Sequence, residues 1–597
     1  MNNSQPRSAQ QGVEKYFFLA SAENFNKIPG SPISYWVSQR AVTLFSSGRY
    51  LGDISSPRQG LATSDDQRFL RFWHEVALNG CALTTSEDDH AKRASKKWIP
   101  FVKGGAVRRW YGNNEILINW ANNGSEVKEY AESLYGSVTR TIKNIQYYFK
   151  EMIAWSLISG GMPSFRLQSA GQIFGHKGPG LFSTADLNLH EAIGFLNSRV
   201  AGYFLSFTSQ NLSYEVGAIQ NLPALKAFPE TKSARLIDIA TIDWDSYEGS
   251  WDFSSLPLLD SDFRQPILKA TYQKLRAHWR EMTLDMQRLE EENNRIFIDA
   301  YGLQGELTPE VPLYEITLTC NPHYRYGGNK SEEELETLLQ CDTIRELISY
   351  AIGCMMGRYS LDNPGLILAN QGETLADYLR QVAQPSFPAD DDAILPLTDQ
   401  EWFADDATNR FREFIRVAWG DEHLKENLDF VAESLCLNAI KPKKGEAALD
   451  TIRRYLSTQF YKDHLRTYKK RPIYWLFSSG KQKAFACLVY LHRYNESTLA
   501  EMRTDYVIPL TEKLASYVEK LEQDKEASSS AAEAKRIEKE LSKLYKQQAE
   551  LNAFDEKLRH YADQRISLDL DDGVKVNYGK FGDLLENVKE ITGNKSE

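Results

Sequence analysis

Two seams of large aliphatic residues near the end of the chain constrain its fold more than any other feature. Leu514, Val518 and Leu521 form one seam. Ile537, Leu541, Leu544, Leu551 and Leu558 form the other, mostly at three- and four-residue intervals. That spacing puts each set on one face of a helix. Ser528, Ser529 and Ser530 lie between them, and serine competes with a helix by bonding to nearby backbone. Residues 511–562 are therefore expected to double back as an antiparallel helical hairpin. A second helical pattern runs from about 262 to 300, where Leu268, Tyr272, Leu275, Trp279, Met282 and Met286 recur. Within it the run Glu290-Glu291-Glu292 reads as a solvated face. Residues 399–440 also read as helical.

A chain of 597 residues exceeds one ordinary core, which sets an expectation of about two to four domains. The expected class is α+β: a mixed α/β part followed by a mainly helical part with the hairpin. Boundaries are placed at a flexible lead-in (1–24), a mixed domain (25–240), a mainly helical domain (241–510), the hairpin (511–562) and a tail (563–597). The formal charge of -11 and pI near 5.6 exclude a protein that is basic throughout. Contact with nucleic acid would need local basic patches on an acidic body. The six cysteines are scattered, with no C-x-x-C pair and no zinc-like spacing, so reduced thiols in a cytoplasm and no metal are expected. The polar start MNNSQPRSAQQG lacks the apolar centre of a signal peptide, and no run of 18 apolar residues occurs.

Two local stretches supply the patches. Residues 91–120 carry Lys92, Arg93, Lys96, Lys97, Lys103, Arg108 and Arg109 before the first acid, Glu115, interleaved with Trp98, Phe101, Trp110, Tyr111 and Trp120. Lysines are point charges suited to phosphate oxygens, and an arginine fork matches the O6/N7 edge of guanine. Asn113 has the groups to bond adenine N6/N7, and is equally suited to a turn. Trp110 and Tyr111 are expected to hold the segment in shape. The opposing reading is a solvated basic loop with its tryptophans in a core. The second stretch, 462–483, carries Lys462, Arg466, Lys469, Lys470, Arg471, Lys481 and Lys483 against one acid, Asp463. Arg166 follows Phe165 in a strand-and-turn segment and joins the candidate DNA contacts.

The order of residues adds a resemblance. Lys97-Trp98-Ile99-Pro100-Phe101-Val102-Lys103-Gly104-Gly105 and Arg109-Trp110-Tyr111-Gly112-Asn113 resemble the target-recognition region of the PglX family, adenine-specific DNA methyltransferases of type 1 BREX phage-defence systems. Arg471-Pro472-Ile473-Tyr474-Trp475, Phe477-Ser478-Ser479-Gly480-Lys481 and Tyr490-Leu491-His492-Arg493-Tyr494-Asn495 are similar to the same family, as is the tail from Asp569 to Tyr578. The pair Phe195-Leu196-Asn197-Ser198 and Val216-Gly217-Ala218-Ile219-Gln220-Asn221-Leu222-Pro223 resembles the helix and closing strand of a recognition domain. The resemblance implies the target-recognition and C-terminal half of such an enzyme, with double-stranded DNA as partner. S-adenosylmethionine would belong to the complete enzyme, and a methyltransferase half would be missing or separately encoded. The alternative is a non-catalytic scaffold docking BREX partners or phage inhibitors.

Asn321-Pro322-His323-Tyr324 is close to the Asn-Pro-Pro-Tyr loop with which amino-methyltransferases hold a flipped base. His323 replaces the second proline, and no upstream glycine-rich strand accompanies it, so no catalytic residue is assigned. Gly175-His176-Lys177-Gly178-Pro179-Gly180 reads as a plain loop, and Asp571-Asp572 as a tight turn before a short strand.

Overall fold

Strand pairing organises the first third of the chain. The computed structural model describes residues 23, 26–46, 48–83, 86, 88–209 and 213–593; apart from Glu23, the lead-in assigned to 1–24 lies outside them. Among the described residues before 183 there are eight short strands: β1 (Ser56–Arg58), β2 (Leu70–Phe72), β3 (Trp98–Val102), β4 (Ile116–Asn119), β5 (Met152–Trp155), β6 (Phe165–Gln168), β7 (Ile173–Phe174) and β8 (Gly180–Phe182). They form two four-stranded sheets, ordered β1-β8-β5-β6 and β2-β4-β3-β7. The first is antiparallel throughout. In the second, only β3 and β7 run parallel. All five residues of β3 are buried, as an unbroken apolar run requires when both faces of a strand are covered.

The helix Ala121–Tyr135 follows β4 and stops at Gly136 with φ 66, and short 3₁₀ turns follow. Two local expectations differ from what forms. Val216–Gln220, expected as a closing strand, is a helical turn. Ile219 and Leu222 are both fully buried, three residues apart, which is helical rather than alternating periodicity. In the tail, the turn Leu570–Asp572 leads into the helix Val574–Gly579 instead of a strand. Leu570, Val574 and Tyr578 are buried at four-residue intervals.

The rest is mainly helical. Ser233–Asp245, Leu268–Tyr301, Glu332–Met355, Ala407–Trp419 and Leu424–Asn438 are helices. One small antiparallel sheet, ordered β10-β11-β9, joins β9 (Ile394–Pro396), β10 (Tyr474–Ser478) and β11 (Ala486–Tyr490). The hairpin consists of Ile508–Ala527 and Ala531–Asp563. Ser530 caps the second helix by accepting from the Glu533 amide. Every seam residue named from the sequence is buried. The largest hydrophobic cluster takes in residues from Ile28 to Ile591, on both sides of residue 240. No helix among the described residues is long and apolar enough to cross a membrane.

Candidate nucleic-acid interface

The loop between β3 and β4 turns inward. Gly104 and Gly105 have φ of 90° and 151°, and Gly112 has φ of 118°. A Cβ on Gly112 would lie 2.7 Å from the Arg108 side chain, so only glycine admits that guanidinium. Trp110 has φ of 72°, an expensive conformation for a bulky residue. It is held there by a bridge to the β6 segment, with its amide donating to Phe165 O and its carbonyl accepting from Leu167 N, both at 2.8 Å.

That geometry corrects the expectation for the two arginines. Arg108 is buried, with Nη2 paired to Asp243 and Nη1 donating to Thr319 Oγ1 at 2.8 Å. Arg109 is buried against Glu290 at 2.7 Å and Glu315 at 3.3 Å. Trp110 donates its indole N–H to the other Glu290 oxygen at 2.7 Å. Neither fork faces solvent, so neither is placed to reach a base edge. Arg166, 1% exposed, donates to Arg108 O at 3.1 Å, and burial lowers its pKa to about 10. Tyr111 is partly buried against the core, and Asn113 donates to Ala106 O at 3.0 Å, with φ of 63°, as a turn residue.

Glu290 is what the sequence reading missed: it is 3% exposed rather than on a solvated face. Glu291 and Glu292 behave differently, accepting from the Val311 amide and pairing with Lys232. The partners of Arg109 and Trp110 are 180 or more positions away, so no local pattern marks them.

The lysines face outward. Lys97 and Lys103 line a cleft of about 740 Å³ with Arg68, Arg71 and Arg471. The Asp571–Gly573 turn of the tail also lines it. Four of its cations are already matched. Lys97 pairs with Asp571 at 2.8 Å, Lys103 with Asp66 at 2.7 Å, Arg68 with Glu126 at 2.8 Å, and Arg471 approaches Glu75 at 3.7 Å. Burial alone would raise the Asp66 carboxyl, but hydrogen bonds from Lys103 and Thr63 bring it below its ordinary value. Arg71 donates to the carbonyls of Asp571 and Asp572 at 3.1 and 3.0 Å and lies over the Trp98 ring. The exposed amide of Gln67 is also in this cleft.

The second basic stretch meets the first here. Lys469 pairs with Glu115 and lies over the Phe72 ring. Lys469, Lys470, Lys462 and Arg466 border a hollow of about 370 Å³ beside Glu590, with Lys470 paired to Glu590 at 3.0 Å. Lys469 and Lys470 both have positive φ, which turns the chain between the helix Tyr461–Thr467 and β10. Arg471 then returns to the 740 Å³ cleft. Two stretches separated by over 340 positions thus share one face.

Asn321 has no such exposure. It is 0% exposed, its Nδ2 donates to Leu313 O and Ile316 O, and its Oδ1 accepts from the His323 amide. Tyr324 donates its hydroxyl to Val107 O. This string caps the helix Pro322–Tyr326 and clamps the β3–β4 loop. Its amide does not fit the task of holding an adenine amino group, so no methyl-transfer step is derived through it.

A mixed α+β chain with a charge-lined cleft is the class that these features define. The adenine-specific methyltransferase BrxX of Escherichia coli O9:H4 (strain HS) is 44% identical over 579 residues, 96% of this chain and 46% of its own length. The adenine-specific methyltransferase PglX of Lacticaseibacillus casei (strain Zhang) is 37% identical over 575 residues, 95% of this chain and 45% of its own length. The chain spans about half the length of the curated relatives it matches. No protein-family model matches it.

Proposed function

We propose that this chain is the DNA-recognition part of a BREX adenine-N6 DNA methyltransferase, acting in the cytoplasm on double-stranded DNA in host marking and phage defence. The observation that carries the reading is the convergence of the two basic stretches on one face, through Lys97, Lys103 and Arg471 in the cleft and Lys469 and Lys470 beside it. The names of the two relatives support the adenine-specific methyltransferase part of the reading. S-adenosylmethionine and the methyl-transfer step are assigned to a catalytic half outside this chain.

In this reading the lysines exchange their carboxylate partners for phosphates. Exposed ion pairs are worth only about 0–1 kcal/mol, so the exchange is not prohibitive, and the released carboxylates return to water. Arg108, Arg109, Trp110, Tyr111 and Arg166 act one step back, by fixing the loop that joins the cleft strands. Base reading passes to Gln67, whose amide type matches adenine N6/N7.

The test is anisotropy titration of target and random duplexes over a range of salt, with the catalytic half supplied. Lys97→Ala and Lys103→Ala are each expected to weaken both duplexes alike and to flatten the salt slope by about one unit. Gln67→Ala is expected to narrow the difference between target and random DNA. Binding that ignores salt, or variants that leave both curves unchanged, would favour a scaffold that docks BREX proteins or phage inhibitors.

A further inference from the structure

Next to the basic hollow, sharing Arg466 with it, is a cavity of about 100 Å³. Arg466 borders both, and its side chain is 66% exposed, which places it at the mouth. The inner wall includes Tyr247, Glu248, Arg325, Arg345 and His464. Each of these five has a buried polar atom that meets no protein hydrogen-bond partner.

Those atoms are nearly all donors. His464 Nε2 accepts from the amides of Ile473 and Tyr474 at 3.1 Å, so it bears no hydrogen. Burial keeps the ring neutral, its pKa lowered to about 3, and the ring proton is therefore on Nδ1, the atom without a partner. Arg325 uses Nη2 on Glu346 at 2.7 Å and leaves Nη1 unmatched. Arg345 uses Nη1 on Asp342 at 2.7 Å, and its Nε lies 3.3 Å from Asp463 without hydrogen-bond alignment. The hydroxyl of Tyr247 is unmatched too. Glu248 accepts from Tyr468 and Ser349 through Oε2 alone. Burial pushes its carboxyl up to about 7, so near neutrality its other oxygen carries a proton for much of the time.

The local carboxylates are already engaged. Asp342 accepts from Arg345, Arg325 and Tyr326, and Asp463 from Tyr455 and Gln459. Buried donors without acceptors are rare in folded proteins. What the wall lacks is one compact group with several acceptor oxygens. At about 100 Å³ the cavity has room for a single tetrahedral group.

We propose that this cavity binds a small oxoanion of the phosphate class, entering past Arg466 and received by Arg325, Arg345 and the Nδ1–H of His464. Guanidinium forks suit such oxygens. The group could be free inorganic phosphate or the terminal phosphate of a nucleotide chain. The proposal does not rest on the DNA reading of the neighbouring face.

Calorimetric titration of the full chain tests it, with inorganic phosphate in one arm and a 5′-phosphorylated dinucleotide, against its unphosphorylated form, in the other. Sodium chloride at equal ionic strength is the control. A one-site isotherm with phosphate alone identifies the free ion, and tighter binding of the phosphorylated dinucleotide identifies a chain terminus. In either case Arg345→Gln should weaken binding at least tenfold. Arg466→Ala, at an exposed position and so compatible with folding, should weaken it several-fold and decides the matter if Arg345→Gln does not fold. Absence of binding in both arms, or binding unchanged in Arg466→Ala, would overturn the proposal and leave the cavity to water.

Discussion

The indole nitrogen of Trp98 donates to Oδ1 of Asp571 at 2.6 Å, while the other oxygen of that carboxylate holds Lys97. One acidic residue therefore fixes a buried ring and restrains a cleft lysine. The two effects separate by substitution. Asp571→Asn keeps an acceptor for the indole and removes the charge. It is expected to raise affinity for random duplex at low salt with little change in stability. Asp571→Ala also orphans the indole and should cost about 1–3 kcal/mol, read by urea unfolding beside the anisotropy titration.

Arg109 and Glu290 should behave as a folding element. Removing one member of a buried pair leaves the other uncompensated, at a cost of about 3–5 kcal/mol. Arg109→Ala and Glu290→Ala are both expected to lower the urea midpoint strongly. Variant protein that remains folded at low temperature should keep the wild-type salt slope on DNA. A change in site preference without loss of stability would return Arg109 to the reading surface.

The basic hollow should contribute to binding independently of sequence. If about four to six phosphates are neutralised in all, log affinity falls against log salt with a slope of roughly -4 to -5. Lys462→Ala combined with Lys470→Ala should flatten that slope by about two units, equally for target and random DNA. An unchanged slope would confine the interface to the larger cleft.

Glu248 gives a pH signature. Burial raises its pKa from 4.5 to about 7, so the folded chain favours the protonated carboxyl. Its stabilising contribution is complete below about 4.5 and is lost as pH rises through about 7. The difference in unfolding free energy between wild type and Glu248→Gln should therefore move against wild type over that window, by on the order of a few kcal/mol. His464 and His492 act with the opposite sign. Burial lowers both to about 3, so their contribution is present above 6.5 and is lost as pH falls towards 3. Parallel stability curves for wild type and Glu248→Gln between pH 5 and 8 would refute the assignment for Glu248.

Periodicity made the hairpin legible. Its seams are local, and each residue's neighbours are three, four or seven positions away in the chain. The two basic stretches were legible by composition, and Lys97, Lys103 and Arg471 do share a cleft. The direction of Arg108, Arg109 and Arg166 was not legible. An arginine beside tryptophan has the same composition whether it faces water or a buried carboxylate, and the deciding partners Asp243 and Glu290 lie on distant helices. Glu290 was misread for the same reason, since its two neighbouring acids concealed the one that turns inward. Gln67 carries no composition signal at all and became a candidate through its place in the cleft.

The turn at Asp571 closes a wall begun 474 positions earlier at Lys97. During synthesis at roughly 5–20 residues per second, Lys97 and Trp98 leave the ribosome about half a minute to a minute and a half before their partner exists. A prematurely terminated product lacking residues beyond 569 would carry both basic stretches with one side of the groove open. Competence to engage a partner there is thus tied to synthesis of the Asp571 turn, and a reading-frame error almost anywhere between β4 and that turn is expressed at this surface.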